Sequence, residues 1–298
     1  MLGVPELPDI ELYLHALRPR VAGRLLEQVT IRSPFVLRSF EPPTEAIENR
    51  TVQTITRLGK RLVFEFDVDL FLVIHLMIAG RFRWSDKPDA KLPGKIGLAS
   101  FRFDSGALHL VESAKQRQAS IHIARSLPEF TRGGTDVRNL SAEQFHALLS
   151  SSGKTVKRAL TMPTLFDGIG NAYSDEILHA ARLSPFKRTS DLEKDAADRL
   201  HNAACDILNS WTAKLIAEFG NRFPGPGDVT AFRPDFAVHG KFGLPCPTCG
   251  TAVQRIRYSG NETNYCPTCQ TGGRILADRS LSRLLKDDWP RTVEQLED

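Results

Sequence analysis

Hydrophobic and polar positions change their period several times along the chain, and each change predicts a different element. Ile10, Leu14 and Leu17 recur at helical spacing. Pro8 and Asp9 precede them and suit a helix start: proline there gives up no needed hydrogen bond, and an acid meets the positive end of the dipole. From about Leu25 the pattern becomes strand-like. Residues 61–76 (RLVFEFDVDLFLVIHL) are rich in Val, Phe, Ile and Leu and partly alternate, and residues 96–111 (IGLASFRFDSGALHLV) read as a hairpin about Asp104, Ser105 and Gly106. A β-sandwich or flattened barrel ending near Leu127 is expected. A polar stretch at 131–136 (TRGGTD) reads as a linker. Helical spacing then resumes behind a capping box beginning at Ser141 (SAEQ) and returns over residues 197–219. Between these runs, residues 166–176 (FDGIGNAYSDE) form a glycine-rich turn entering a helix. The Pro- and Gly-rich residues 223–228 (FPGPGD) close the helical region. The segments divide as 5–130, 137–230, 238–276 and 277–298, an α+β multidomain chain.

Length agrees with that division: 298 residues at about 100–200 per domain allow two domains and a small third. No apolar run reaches the roughly 18 residues of a membrane span; the best, residues 70–78, is interrupted by His75. The start, MLGVPELPDIELY, has no basic segment followed by an apolar one, so no signal peptide is read and a cytoplasmic protein is expected.

Cysteine placement changes the picture more. Cys246, Cys249, Cys266 and Cys269 form two C-P-T-C turns, while Cys205 stands alone in a helical stretch and reads as a small buried apolar residue. Four thiolates so spaced close one tetrahedral zinc site, and with all four positions filled by sulfur the metal is structural. A redox pair is the alternative, and two matched turns argue against it. Between Lys241 and Lys286, seven Lys or Arg stand against two acids. Together with a net charge of +4, this favours a polyanionic partner; a solvated basic face reads equally well from this feature alone.

Two further motifs are weak singly. In GIGNAYSDE, Gly168 and Gly170 permit a tight turn, and Asn171 opens a helix whose free N–H groups favour an anion. An ordinary helical turn with an Asn cap has the same look. Pro5, Glu6, Leu7, Pro8 and Asp9 also read as a routine helix start. Were Pro5 the first residue, however, its nitrogen would be a secondary amine able to attack an aldehyde carbon, with Glu6 beside it to move protons.

The three motifs occur in order, and together they closely resemble the formamidopyrimidine-DNA glycosylase and endonuclease VIII family of base-excision repair enzymes, from Pro5 to about Gln270. The resemblance implies an N-terminal β-sandwich, a helix–two-turn–helix domain and a zinc finger. It implies a bifunctional glycosylase and abasic-site lyase acting on oxidised bases in damaged DNA, as a monomer in the bacterial cytoplasm at the nucleoid. Residue by residue, it assigns Pro5 as the nucleophile, Glu6 as the acid that opens the sugar, Lys60 as a cation near the DNA backbone, Asn171 as a phosphate ligand, and Cys246, Cys249, Cys266 and Cys269 as ligands of one Zn2+.

The chain departs from the family pattern at several places. Asp9 replaces the usual longer Glu. Pro5 follows Met-Leu-Gly-Val, and a proline nitrogen inside a chain is an amide whose lone pair is delocalised. Translation from Val4, if encoded by GTG, or removal of the leader would expose it. Ile78 stands where a Met usually fills the gap left by a flipped base, and the loop 112–120 (ESAKQRQAS) has no aromatic wedge, leaving Arg117 and its neighbours as substitutes. Asn261 takes the place of the usual Arg at the finger tip. Arg279, Arg283 and Lys286 extend the chain beyond the usual end. If Pro5 stays blocked, the reading becomes a catalytically inactive damaged-DNA-binding protein of the same fold.

Overall fold

The computed structural model describes residues 3–258, 261–278 and 290–296. Arg279, Arg283 and Lys286 lie outside the described residues, as does the side chain of Asn261. The chain forms two compact units: Met1–Arg132 with Ser210–Ala231, and Gly133–Asn209 with Phe232–Asp298.

The first unit opens with helix α1 (Leu7–Val21). Asp9 Oδ2 accepts the Glu6 N–H at 2.9 Å, one arm of a capping box that satisfies a backbone donor at the helix start. Eight antiparallel strands follow: β1 (Leu25–Ile31), β2 (Arg50–Leu58), β3 (Arg61–Phe66), β4 (Phe71–His75), β5 (Gly80–Ser85), β6 (Gly97–Phe103), β7 (Gly106–Glu112) and β8 (Ser120–Ala124). Their spatial order is β5-β7-β6-β1-β2-β3-β4-β8. At the centre, β1 and β2 pair only at Leu25 with Thr51 and Leu26 with Arg50. The sheet therefore folds over at this short seam into a sandwich. Phe82, Phe101 and Leu110 from one half share a single core with Phe64, Ile74 and Ile121 from the other. The hairpin expected about residues 104–106 is present, with Phe103 registered on Gly106.

Residues Ser210–Ala231 belong to this unit because Leu215 and Phe219 bury their side chains against Leu12 of α1. They supply the last turns of the long helix that ends at Phe219 and the Pro- and Gly-rich segment after it.

The second unit contains α2 (Ala142–Ser152), α3 (Val156–Leu160), α4 (Asn171–Ala180) and the first part of α5 (Lys194–Phe219). The SAEQ capping box forms: Ser141 Oγ accepts the Gln144 N–H, and Gln144 Oε1 accepts the Ser141 N–H. α4 begins at Asn171, directly behind the glycine turn, where Gly168 adopts φ 84°. A hairpin of β9 (Gln254–Tyr258) and β10 (Asn261–Tyr265), followed by the short α6 (Pro267–Thr271), completes the unit. No helix among the described residues is long and apolar enough to cross a membrane.

Candidate active site and zinc centre

Pro5 and Glu6 are buried at the start of α1, with Glu6 only 3% exposed and Asp9 wholly buried. Gly3 and Val4 are half-buried. Gly3 lies so close to Ala231 that a Cβ there would sit 2.1 Å from the Ala231 Cβ. Its carbonyl accepts a 2.9 Å hydrogen bond from Arg81 Nη2.

Ile78 stands in the turn between β4 and β5 with 47% of its surface exposed. His75 and Arg81 hold that turn from its two ends. His75 Nδ1 accepts the Met77 N–H at 3.0 Å, and Met77 adopts the left-handed φ of 55°. Burial first, then the neighbouring Arg61 and Lys60 cations, push the His75 imidazole down to about 3, so it is a neutral acceptor at neutral pH. On the other side, Arg81 donates to the Ile78 and Gly80 carbonyls.

Lys60 follows Gly59 (φ 59°) in the two-residue connection from β2 to β3, where the left-handed first position suits glycine. Arg61, the next residue, is registered on His75 across β3 and β4, which puts Lys60 near the base of the Ile78 turn. Arg117 lies on the exposed β7–β8 loop and donates to the Lys95 carbonyl. The loop is tied at its root, where the Glu112 carboxylate accepts the Gln118 and Ala119 N–H groups at 3.0–3.1 Å.

In the second unit, Asn171 and the finger hairpin meet directly. Asn171 Nδ2 donates to the Glu262 carbonyl at 2.7 Å, and Glu262 is the neighbour of Asn261 in β10. Lys157 Nζ donates to the Asn171 carbonyl, the Ser174 hydroxyl and the Asp175 carboxylate. The other Asp175 oxygen accepts from the Asn264 N–H and contacts His239 Nδ1 at 2.7 Å. The carboxylate of Glu176 accepts the Ala237, Val238 and His239 N–H groups. The start of α4 thus carries Asn171 and anchors both the hairpin and the bend at residues 237–239 that precedes it.

The four expected cysteine ligands converge, their sulfurs all lying within 4.8 Å of one another. Cys246 and Cys269 are separated by 4.0 Å, Cys249 and Cys266 by 3.4 Å. A tetrahedral Zn–S4 centre with bonds of about 2.3 Å needs sulfurs about 3.8 Å apart. The cluster fits one structural zinc ion. His179 Nε2 lies 3.2 Å from the Cys246 sulfur and helps to orient it.

Sequence reasoning missed Arg81, Glu112, Lys157, Asp175 and Glu176. Arg81 left no signal in the sequence: a charge next to Phe82 and Arg83 reads as solvent-facing, and only the fold buries the first three positions of its strand. The two α4 acids sit in a helix with mixed polarity, where a carboxylate reads as solvent-facing.

Known proteins share this organisation. Residues 4–119 match the formamidopyrimidine-DNA glycosylase N-terminal domain, residues 135–214 its H2TH domain, and residues 243–272 the zinc finger found in FPG and IleRS. The formamidopyrimidine-DNA glycosylase of Exiguobacterium sibiricum is 31% identical over 279 residues, covering 90% of this chain and 99% of the relative. That of Thermus thermophilus is 32% identical over 286 residues, covering 91% and 100%. The Lactococcus lactis enzyme, in a crystal structure bound non-covalently to DNA containing an AP site, superposes with a TM-score of 0.77 at 28% identity, covering 89% of this chain and 99% of that one. With all three domains matched in order and relatives of more than 30% identity spanned nearly end to end, the chain belongs to the formamidopyrimidine-DNA glycosylase family.

Proposed function

We propose that the chain is a base-excision repair DNA glycosylase with an associated abasic-site lyase activity on oxidised bases, and that Pro5 is its nucleophile. The observation that carries this reading is the pairing of Pro5 with Glu6 at the buried, capped start of α1, at the point where the family match begins.

The target nucleotide leaves the stack to be reached. The Pro5 nitrogen attacks the sugar C1′, and Glu6 delivers a proton to the sugar ring oxygen as the ring opens. The base departs with the C1′–N bond electrons and takes up a proton, leaving an iminium between Pro5 and C1′. The iminium acidifies the C2′ hydrogen. Its loss to a base expels the 3′ phosphate with the C3′–O bond electrons. Water then hydrolyses the iminium and returns the free amine. Ile78, half exposed on its turn, fills the space the base left, with Arg117 on the neighbouring loop. Lys60 and Asn171 bind phosphates, and Asn261 contacts DNA from the finger. The zinc holds the finger in shape and takes no step in the chemistry. One chain supplies every group named, so the reading requires no second copy.

The mechanism needs a secondary amine, and the Val4–Pro5 peptide bond removes it. Activity therefore belongs to the form whose first residue is Pro5. The docking of Gly3 against Ala231 and Arg81 supports a second reading for the longer form, a DNA-binding protein without lyase activity. Borohydride trapping on an oligonucleotide with an abasic site separates the two. A covalent adduct with the Pro5-initiated form, and none with the 298-residue form, is expected. No adduct with either sinks the lyase reading.

A further inference from the structure

Among the described residues Arg81 is the largest fully buried side chain, 1% exposed, and no carboxylate of theirs forms a hydrogen bond with it. All its bonds go to backbone carbonyls, and these belong to three separate segments. Nε donates to Val229 at 2.7 Å, Nη1 to Gly80 at 2.7 Å and Ile78 at 3.1 Å, and Nη2 to Gly3 at 2.9 Å. Burying a cation is costly unless its donors are satisfied, so this arrangement fixes the segments it touches. Asp9 at the start of α1 and Glu112 at the root of the 112–120 loop are the acids whose fields reach it.

We propose that Arg81 is a positioning residue for the reaction: its planar fork ties the turn bearing Ile78 to the segment at Val229, beside the start of the chain that leads to Pro5. The inference rests on the reading of Pro5 and Ile78 given above. The geometry is specific to a guanidinium. Donors on three nitrogens leave in fixed, divergent directions and meet carbonyls on different segments, whereas an ammonium offers three donors from one point. Gly3 O is two residues from the Pro5 nitrogen, which puts that nitrogen within about 9 Å of Nη2 by chain geometry. When the chain begins at Pro5, the Gly3 acceptor is gone. The bonds to Ile78, Gly80 and Val229 do not depend on residues 1–4 and continue to hold the turn beside the amine.

The test uses the Pro5-initiated, zinc-loaded protein and measures single-turnover borohydride trapping on an abasic-site duplex over a range of protein concentrations. Arg81→Met removes the fork while nearly keeping its volume. A misplacement of about 1 Å at a reacting centre costs on the order of 100-fold in rate. The saturating trapping rate should therefore fall about 100-fold, with the half-saturating concentration changed less than about 3-fold, because DNA contacts elsewhere persist. Arg81→Lys keeps a buried cation without the fork; it should stay at least about 10-fold slow, and it carries the test if Arg81→Met does not fold. Leu110→Ala, a core change in β7, controls for lost stability and should trap at nearly the parental rate. Parental rates in both Arg81 variants, or full rescue by lysine, overturn the positioning role and leave the Pro5 reading intact. A parental protein that forms no adduct overturns both.

Discussion

Removing the Glu176 carboxylate should loosen the zinc finger more than any surface change in the second unit. In Glu176→Ala, three backbone N–H groups, those of Ala237, Val238 and His239, lose acceptors at 2.7, 2.9 and 2.8 Å. A buried donor left unsatisfied costs about 1–3 kcal/mol. Two effects reduce the sum. Water enters the vacated polar space and recovers part of the bonding. The carboxylate also no longer has to be desolvated; burial raises its pKa, against the lowering by the same three N–H groups. The net loss should be about 3–5 kcal/mol, a large share of the 5–15 kcal/mol typical of a native protein. Glu176→Gln keeps one acceptor oxygen but turns an amide NH2 towards a backbone donor, and should lose about 2–3 kcal/mol. The damage should localise, because Val238 packs directly with Cys246, Val253 and Cys266. Guanidinium unfolding followed by circular dichroism gives the stability change, and a chromophoric chelator reports zinc release in the same titration. In Glu176→Ala, zinc should leave at lower denaturant than in the parent. A stability loss below about 1 kcal/mol with zinc release unmoved would refute the assignment of Glu176 as the anchor of this segment.

Other consequences concern pH, metal and DNA. His75 is held near 3 in the folded chain against an ordinary value near 6.5, so only the unfolded chain takes up its proton between those values. Its contribution is intact above pH 6.5 and is lost as pH falls towards 3, with a slope approaching 1.4 kcal/mol per pH unit. In His75→Asn, whose Oδ1 still accepts the Met77 N–H, this part of the acid dependence of the melting temperature should vanish; an unchanged profile would show that the imidazole titrates normally. Chelation of zinc should unfold the 246–269 cluster and abolish DNA binding, while circular dichroism retains the sandwich signal. Loss of all structure together would contradict the separate cores of the two units. Asn171→Ala removes the bond to Glu262 and the proposed phosphate ligand, and should weaken binding to an abasic-site duplex about 10-fold in fluorescence anisotropy at fixed salt. Equal affinities would exclude Asn171 from the interface.

What the sequence determined by itself was local. Pro8 with Asp9, the SAEQ box, the turn at residues 104–106 and the glycines before Asn171 act within a few residues, through caps and dihedral preferences that hold in any surroundings. The two C-P-T-C turns are equally self-contained, since their spacing already limits what the sulfurs can bind. Tertiary structure alone decided the strand order, in which β1 lies between β6 and β2, because pairing distant strands depends on closing long loops around a shared core. It likewise gave the last turns of α5 to the first unit, through Leu12, Leu215 and Phe219. The polar side chains show the same division. Arg81 finds Val229 and Gly3, Glu176 finds residues 237–239, and Asn171 finds Glu262, each far along the chain. A charged residue in a strand or helix reads as solvent-facing from its type, and only the fold brings it the partners that make its burial tolerable.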